Sequence, residues 1–239
     1  MLMGDAALAL LGTTELNRRA AFDRMGSEFE TPPGLMVTRG WMAGVAIEQL
    51  TPTVRERRVV LHVAIEGESQ RALAGRIALA CRARSVVPAC RQAPLGVDDL
   101  LAVYRALLDH GTPAEQIIVV GDSGGGDLVI AMMARARDAG LPRPRALVLL
   151  SPGTSRAELV GLPPTLIQVG DRELLLRDAE HLFEQAQAAG VEVELEAYAN
   201  LWHVWDPCAA MLPDAIEAID RIAAFVDDRF ALQSLRIAG

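Results

Sequence analysis

With 239 residues, 51% of them hydrophobic and 23% charged, the chain is long and apolar enough for one substantial core and excludes a disordered composition. Its net charge of −8, with no basic block anywhere, excludes a nucleic-acid footprint, which needs clustered positive charge. All 23 basic side chains are arginine, so no lysine is present to act as Schiff base, general base or phosphate-loop cation.

Residues 5–29 carry helical periodicity through Leu8, Leu11, Leu16, Phe22 and Phe29, and Thr31-Pro32-Pro33-Gly34 stops the pattern. A secretion signal needs positive charge before its apolar stretch, and Asp5 stands there instead. The run is also too short to span a bilayer. The expectation is an amphipathic helix on a cytoplasmic protein with no membrane partner. Cys81, Cys90 and Cys208, an odd and scattered set, agree with reduced thiols and have no metal-ligand spacing, so no metal or cofactor is expected.

Short strands are predicted over 35–39 and 44–50, and the apolar β-branched run 58–64 fits a strand buried on both faces. From there helices and strands alternate. Helices are predicted over 69–84, 97–110, 123–139, 175–189 and 213–230, and strands over 85–89, 116–121, 145–150, 165–170 and 191–197. Gly140 and Gly190 read as helix stops. Such alternation predicts βαβ units and a mostly parallel twisted sheet flanked by helices, in one domain spanning 1–239.

The sharpest signal is Gly121-Asp122-Ser123-Gly124-Gly125. It matches G-x-S-x-G directly after an apolar strand and directly before a helix, the setting in which a tight turn lifts a serine hydroxyl clear of the backbone. A Cβ at either flanking glycine would collide with neighbouring chain. A serine needs a base, usually a histidine oriented by a carboxylate, and in this arrangement the chain order is serine, acid, histidine. Only His181 and His203 follow Ser123. His181 falls on the charged face of a helix, whereas His203 follows the strand 191–197, where the base belongs. The acid should follow the strand 165–170. Asp171 and Glu173 both qualify, and spacing alone does not separate them.

With these residues in place, the chain resembles the bacterial hormone-sensitive-lipase-like branch of the α/β hydrolases, notably its esterase and monoterpene ε-lactone hydrolase group. The resemblance runs from about residue 28 to residue 230 through Pro32-Pro33-Gly34, Arg71-Ala72-Leu73, the serine turn, Leu149-Leu150-Ser151-Pro152, Gly161-Leu162-Pro163-Pro164 and His203. It implies an α/β-hydrolase fold with residues 1–30 as a reduced cap helix. Aligned without gaps, Glu173-Leu174-Leu175 fits the family's acid stretch, which makes Glu173 the first choice and Asp171 the second. The implied activity is hydrolysis of an ester, thioester or lactone, on a small-molecule or carrier-bound acyl substrate.

The family's H-G-G-G loop, which supplies backbone donors to the oxyanion, is missing. Leu61-His62-Val63-Ala64 stands in its place. The Gly124 N–H and the Val63–Ala64 backbone are left as the expected oxyanion donors, and losing one such donor typically costs about 10²–10³ in rate. The stretches 94–97 and 153–160 also look trimmed. This pattern keeps open an alternative in which the pocket serves a cyclase- or dehydratase-type reaction, or simple binding. A shortened cap predicts exposed apolar surface that a second subunit would cover in a homodimer. Of the remaining residues, His62 is expected to be a satisfied core or loop histidine, Asp122 to cap or orient the helix after the serine, and Trp202 and Trp205 to line the pocket or pack in the core.

Overall fold

The computed structural model describes residues 30–64, 68–153, 157–203, 205–210 and 212–237. The amphipathic segment 5–29, expected as a cap helix, lies outside them.

Eight strands form one sheet: β1 (Leu35–Met42), β2 (Val45–Pro52), β3 (Val59–Val63), β4 (Arg84–Pro88), β5 (Ile117–Asp122), β6 (Ala146–Leu150), β7 (Thr165–Gly170) and β8 (Val193–Tyr198). Their spatial order is β1-β2-β4-β3-β5-β6-β7-β8. β1 and β2 form a hairpin across Ala43-Gly44, whose φ values of 50° and 80° are both left-handed, as a tight two-residue hairpin turn requires. β2 also meets β4 antiparallel, and every pairing from β4 to β8 is parallel. Both hairpin strands run longer than the sequence pattern suggests, because pairing carries them through Trp41 and Met42 on one side and Thr51 and Pro52 on the other.

Helices α1 (Glu68–Ala80), α2 (Leu95–Asp109), α3 (Gly124–Asp138), α4 (Leu176–Ala188) and α5 (Pro213–Ile237) cover the two faces. Alternating strand residues feed two separate cores. Val59, Leu61, Val119, Leu147 and Ile167 pack with α2, α3 and α4. Val60, Ile118, Val120, Val148 and Leu166 pack with Leu73 and Ile77 of α1 and with Ile219, Ile222 and Phe225 of α5. That double burial is why the central strands read as continuous apolar runs.

α5 continues beyond Phe230, where the sequence pattern stops, and is tied to the edge strand by charge. Arg221 donates to Glu194 and Glu196 at 2.6 and 2.5 Å, and Arg229 donates to Glu192 and, at 2.7 Å, to Glu194. No helix among the described residues is long and apolar enough to cross a membrane.

Candidate active site

β5 is the central element, and its C-terminal end carries the serine. Ser123 has φ 52° and ψ −123°, a conformation few non-glycine residues adopt and one that costs of order 1–3 kcal/mol. Its surroundings enforce it. The Ser123 N–H donates to the Leu150 carbonyl at 2.8 Å, continuing the ladder to β6, while its carbonyl accepts from the Gly126 N–H at 2.9 Å. The chain then turns straight into α3. Both glycines are required by close approach. A Cβ on Gly121 would lie 2.7 Å from the Gly126 Cα, and one on Gly125 would lie 2.1 Å from the Val63 carbonyl oxygen.

Two later loops complete the cluster. The Ser123 hydroxyl lies 3.0 Å from His203 Nε2, and His203 Nδ1 lies 2.7 Å from Glu173 Oε2. Glu173, whose side chain is fully buried, receives two further hydrogen bonds on Oε1, from the Ser151 hydroxyl and the Gly170 N–H, each at 2.7 Å. A carboxylate accepting two such donors is fixed as an acceptor toward the imidazole. Nδ1 therefore carries the proton and donates it to Glu173, leaving Nε2 to accept from the serine. His203 remains about one-third exposed, so the reacting end of the chain faces the mouth while the acid stays dry.

Asp171, the second-choice acid, is not part of this chain. It is exposed, and its Oδ1 accepts from the Asn200 N–H at 2.6 Å, bracing the turn that leads to His203. His181 is exposed on α4, as its charged setting suggests. Gly124 is the first residue of α3, so its N–H has no intrahelical acceptor and remains available beside Ser123. Val63 presents its carbonyl to Gly125, and Ala64 lies against the same glycine. Residues 65–67, which follow, lie outside the described residues.

Sequence reasoning missed a buried polar cluster behind the serine. Asp122 is completely enclosed, and neither carboxylate oxygen has a partner at hydrogen-bond distance among the described residues, so it does not cap α3 as expected. Burial pushes its pKa up to about 6, against smaller opposing pulls from the Gln70 amide and the His203 charge. Asp206 is likewise buried, and burial, reinforced by the nearby charge of Asp122, lifts its carboxyl well above the usual range. His62 is a core residue, but neither ring nitrogen has a partner at hydrogen-bond distance among the described residues, and burial lowers its pKa to about 4, against a smaller opposing pull from Gln70. Trp205 is fully buried against Tyr198, with ring centroids 4.7 Å apart, and Trp202 packs on the same core. Cys90 is half-buried with its thiol pushed up to about 12 by burial, and so is inert. No cluster of three or more metal-ligating side chains occurs among the described residues.

A parallel sheet with a serine on a strained strand-to-helix turn, and an acid and a histidine on the two loops that follow, defines the α/β-hydrolase class. Comparison with known proteins agrees. The family model for the alpha/beta hydrolase fold matches residues 62–160 and 155–206. An acetyl-hydrolase from Streptomyces hygroscopicus is 30% identical, with the match covering 87% of this chain and 88% of that protein. Among solved structures, the esterase EstE5 soaked with p-nitrophenyl butyrate is similar at a TM-score of 0.87 and 27% identity, over 96% of this chain and 98% of that one. An esterase of the bacterial hormone-sensitive lipase family is similar at a TM-score of 0.84 and 28% identity, over 91% and 92%. The chain belongs to the α/β-hydrolase-fold family, in its hormone-sensitive-lipase-like branch.

Proposed function

We propose that this protein is a carboxylic-ester hydrolase that uses Ser123 as nucleophile, His203 as general base and acid, and Glu173 as the residue that orients the imidazole. The observation that carries this reading is the unbroken hydrogen-bond chain Ser123–His203–Glu173, with links of 3.0 and 2.7 Å. His203 Nε2 takes the serine proton as Oγ attacks the acyl carbon, and the imidazolium is stabilised by Glu173. The oxyanion receives the Gly124 N–H and a donor from the Ala64 backbone, which Val63 seats against the start of α3. Nε2 then returns the proton to the leaving oxygen, and the alcohol departs. Water, deprotonated by the same nitrogen, attacks the acyl-enzyme and frees the acid and the serine. The relatives named as hydrolases and esterases support the same chemistry, and no observation favours the non-hydrolytic alternative.

The three cysteines are unpaired, which supports a reducing cytoplasmic setting, and the exposed Met36, Val37 and Trp41 on β1 support a homodimer. The acyl group enters from a small-molecule or a carrier-bound donor. The test is acylation by a fluorophosphonate probe together with turnover of p-nitrophenyl acetate. Labelling of Ser123 that disappears in Ser123→Ala and falls sharply in His203→Ala supports the reading. A folded protein that neither labels nor turns over ester refutes it.

A further inference from the structure

A hollow of about 420 Å³ opens at the end of the sheet opposite the serine, where β3, β4 and β5 begin. Val59 and Arg84 start the first two of these strands, and Gln116 immediately precedes the third. The whole of β5 lies between this hollow and Ser123, roughly 20 Å at about 3.3 Å per residue. Ser123, Glu173 and His203 take no part in its lining.

The chain carries a net charge of −8, yet Arg55, Arg57, Arg58 and Arg84 converge on this one depression. Arg58 is the buried member and is already matched. Asp227 accepts from it, Glu56 Oε2 lies 3.0 Å from its Nε, and its guanidinium stands over the Phe230 ring at 4.1 Å. Glu56, the one carboxylate in the lining, is engaged on its other oxygen too, because Oε1 lies 2.9 Å from Arg82 Nε. Arg55, Arg57 and Arg84 are left without a carboxylate partner among the described residues. Arg84 donates to the neutral amide oxygen of Gln49 at 2.7 Å, which holds the guanidinium without neutralising it. Burial, reinforced by the positive charge of Arg55, lowers the Arg84 pKa, the behaviour of a cation short of counter-charge.

The rest of the lining favours an anion as well. Thr112 and Gln116 add a hydroxyl and an amide. The Ala106, Leu107 and Leu108 carbonyls at the end of α2, which borders the hollow, already accept from the N–H groups of His110, Thr112 and Gly111. Guanidinium forks bind phosphate oxygens through paired N–H donors. A single phosphate monoester carries about 1.5–2 negative charges at pH 7, fewer than the three unmatched arginines offer, and the volume lies within the range of small-molecule sites. We propose that this hollow is a binding site for a small molecule bearing a diphosphate group, which Arg55, Arg57 and Arg84 hold.

The site is independent of the hydrolase reading and is tested without it. Full-length protein is titrated in a calorimeter with inorganic diphosphate, with orthophosphate and with a hexaglutamate peptide, all at low ionic strength, where exposed charges are least screened. Diphosphate is expected to saturate one site per chain with a Kd below about 1 mM, at least about tenfold tighter than orthophosphate. Arg55→Gln and Arg57→Gln alter exposed side chains that have no ion pair to lose, and each is expected to weaken diphosphate binding by about tenfold. Arg105→Gln removes the same charge from an exposed position of α2 outside the lining and is expected to stay within about twofold of wild type. A wild-type protein that shows no saturable diphosphate binding up to about 1 mM overturns the site. So does an Arg105→Gln variant that loses as much affinity as Arg55→Gln, which would mark a diffuse charge effect. Hexaglutamate binding as tightly as diphosphate overturns the assignment of the ligand as a phosphate compound.

Discussion

Gly125→Ala isolates the contact that joins the serine turn to the end of β3. The new Cβ would meet the Val63 carbonyl oxygen at 2.1 Å, the Val63 carbonyl carbon at 2.7 Å and the Ala64 Cα at 3.2 Å. All three are backbone atoms, so no rotamer change relieves the clash. Ordinary contact begins at 3.4 Å, and either the start of α3 or the end of β3 must therefore retreat by more than about 1 Å. Overpacking of this kind costs about 1–3 kcal/mol, which lowers the Tm by roughly 2–10 °C for a domain of this size. On the proposed mechanism the functional cost is larger, because the retreat separates the Gly124 N–H from the Ala64 backbone, the two donors assigned to the oxyanion. Loss of one donor, or a misplacement of about 1 Å, lowers kcat by about 10²–10³. The measurement is p-nitrophenyl acetate turnover, with the fluorophosphonate labelling rate and a thermal melt on the same sample. Gly126→Ala is the matched control. There the new Cβ meets the Pro152 Cβ at 3.4 Å, an ordinary contact, and the helix gains up to about 1 kcal/mol in propensity. If Gly125→Ala kept wild-type kcat and melting temperature, the reasoning from close approach would be wrong.

Glu173→Gln should keep the fold and lower kcat by about 10³–10⁴, because an amide no longer fixes the imidazole tautomer, whereas Asp171→Asn should stay within about twofold; steady-state kinetics of the pair checks the assignment of the acid. Asp122 and His62 should give opposing pH dependences of stability. The Asp122 pKa is raised to about 6 in the folded protein, so the folded state holds a proton the unfolded state has lost, and stability falls by up to about 3 kcal/mol as pH rises from 4 to 6. The His62 pKa is lowered to about 4, so the unfolded state holds the extra proton, and stability rises by a similar amount, about 3 kcal/mol, between pH 4 and 6.5. The two slopes nearly cancel in the wild type. Asp122→Asn should remove one of them and leave urea stability rising steeply with pH over this window; a flat profile in that variant would contradict the assignment. Arg221→Ala breaks the bridge to Glu194 and Glu196, and since those side chains are partly exposed the loss should stay at or below about 1 kcal/mol, read as a drop of roughly 2–4 °C in Tm that shrinks in high salt.

The serine turn was legible because its requirements are local: two glycines, an apolar strand before and a helix after. The histidine followed from chain order. The acid did not follow from spacing, since Asp171 and Glu173 occupy the same turn after β7. What separates them is tertiary. Only Glu173 can reach the Gly170 N–H and the hydroxyl of Ser151, which arrives from the neighbouring strand β6 in a left-handed conformation with φ 45°. Resemblance to the family pointed to Glu173, the carboxylate that lies against His203, without supplying this reason. The strand pattern gave the sheet but ended β1 early, because Gly40-Trp41-Met42 alternates poorly and is held by pairing alone. The lack of partners for Asp122 and His62 among the described residues was invisible for a plainer reason. A polar letter in an apolar run does not say whether its partner exists.

The last helix has a consequence for how the molecule is made. Every strand, and all three members of the serine–histidine–glutamate chain, are synthesised before Pro213, where α5 begins. Until that helix emerges from the ribosome, Ile118, Val148 and Leu166 have lost the Ile219, Ile222 and Phe225 side chains that cover them. A nascent chain halted there carries Ser123, Glu173 and His203 on a sheet whose α5 face is bare. That bare face is apolar surface open to aggregation until α5 packs onto it.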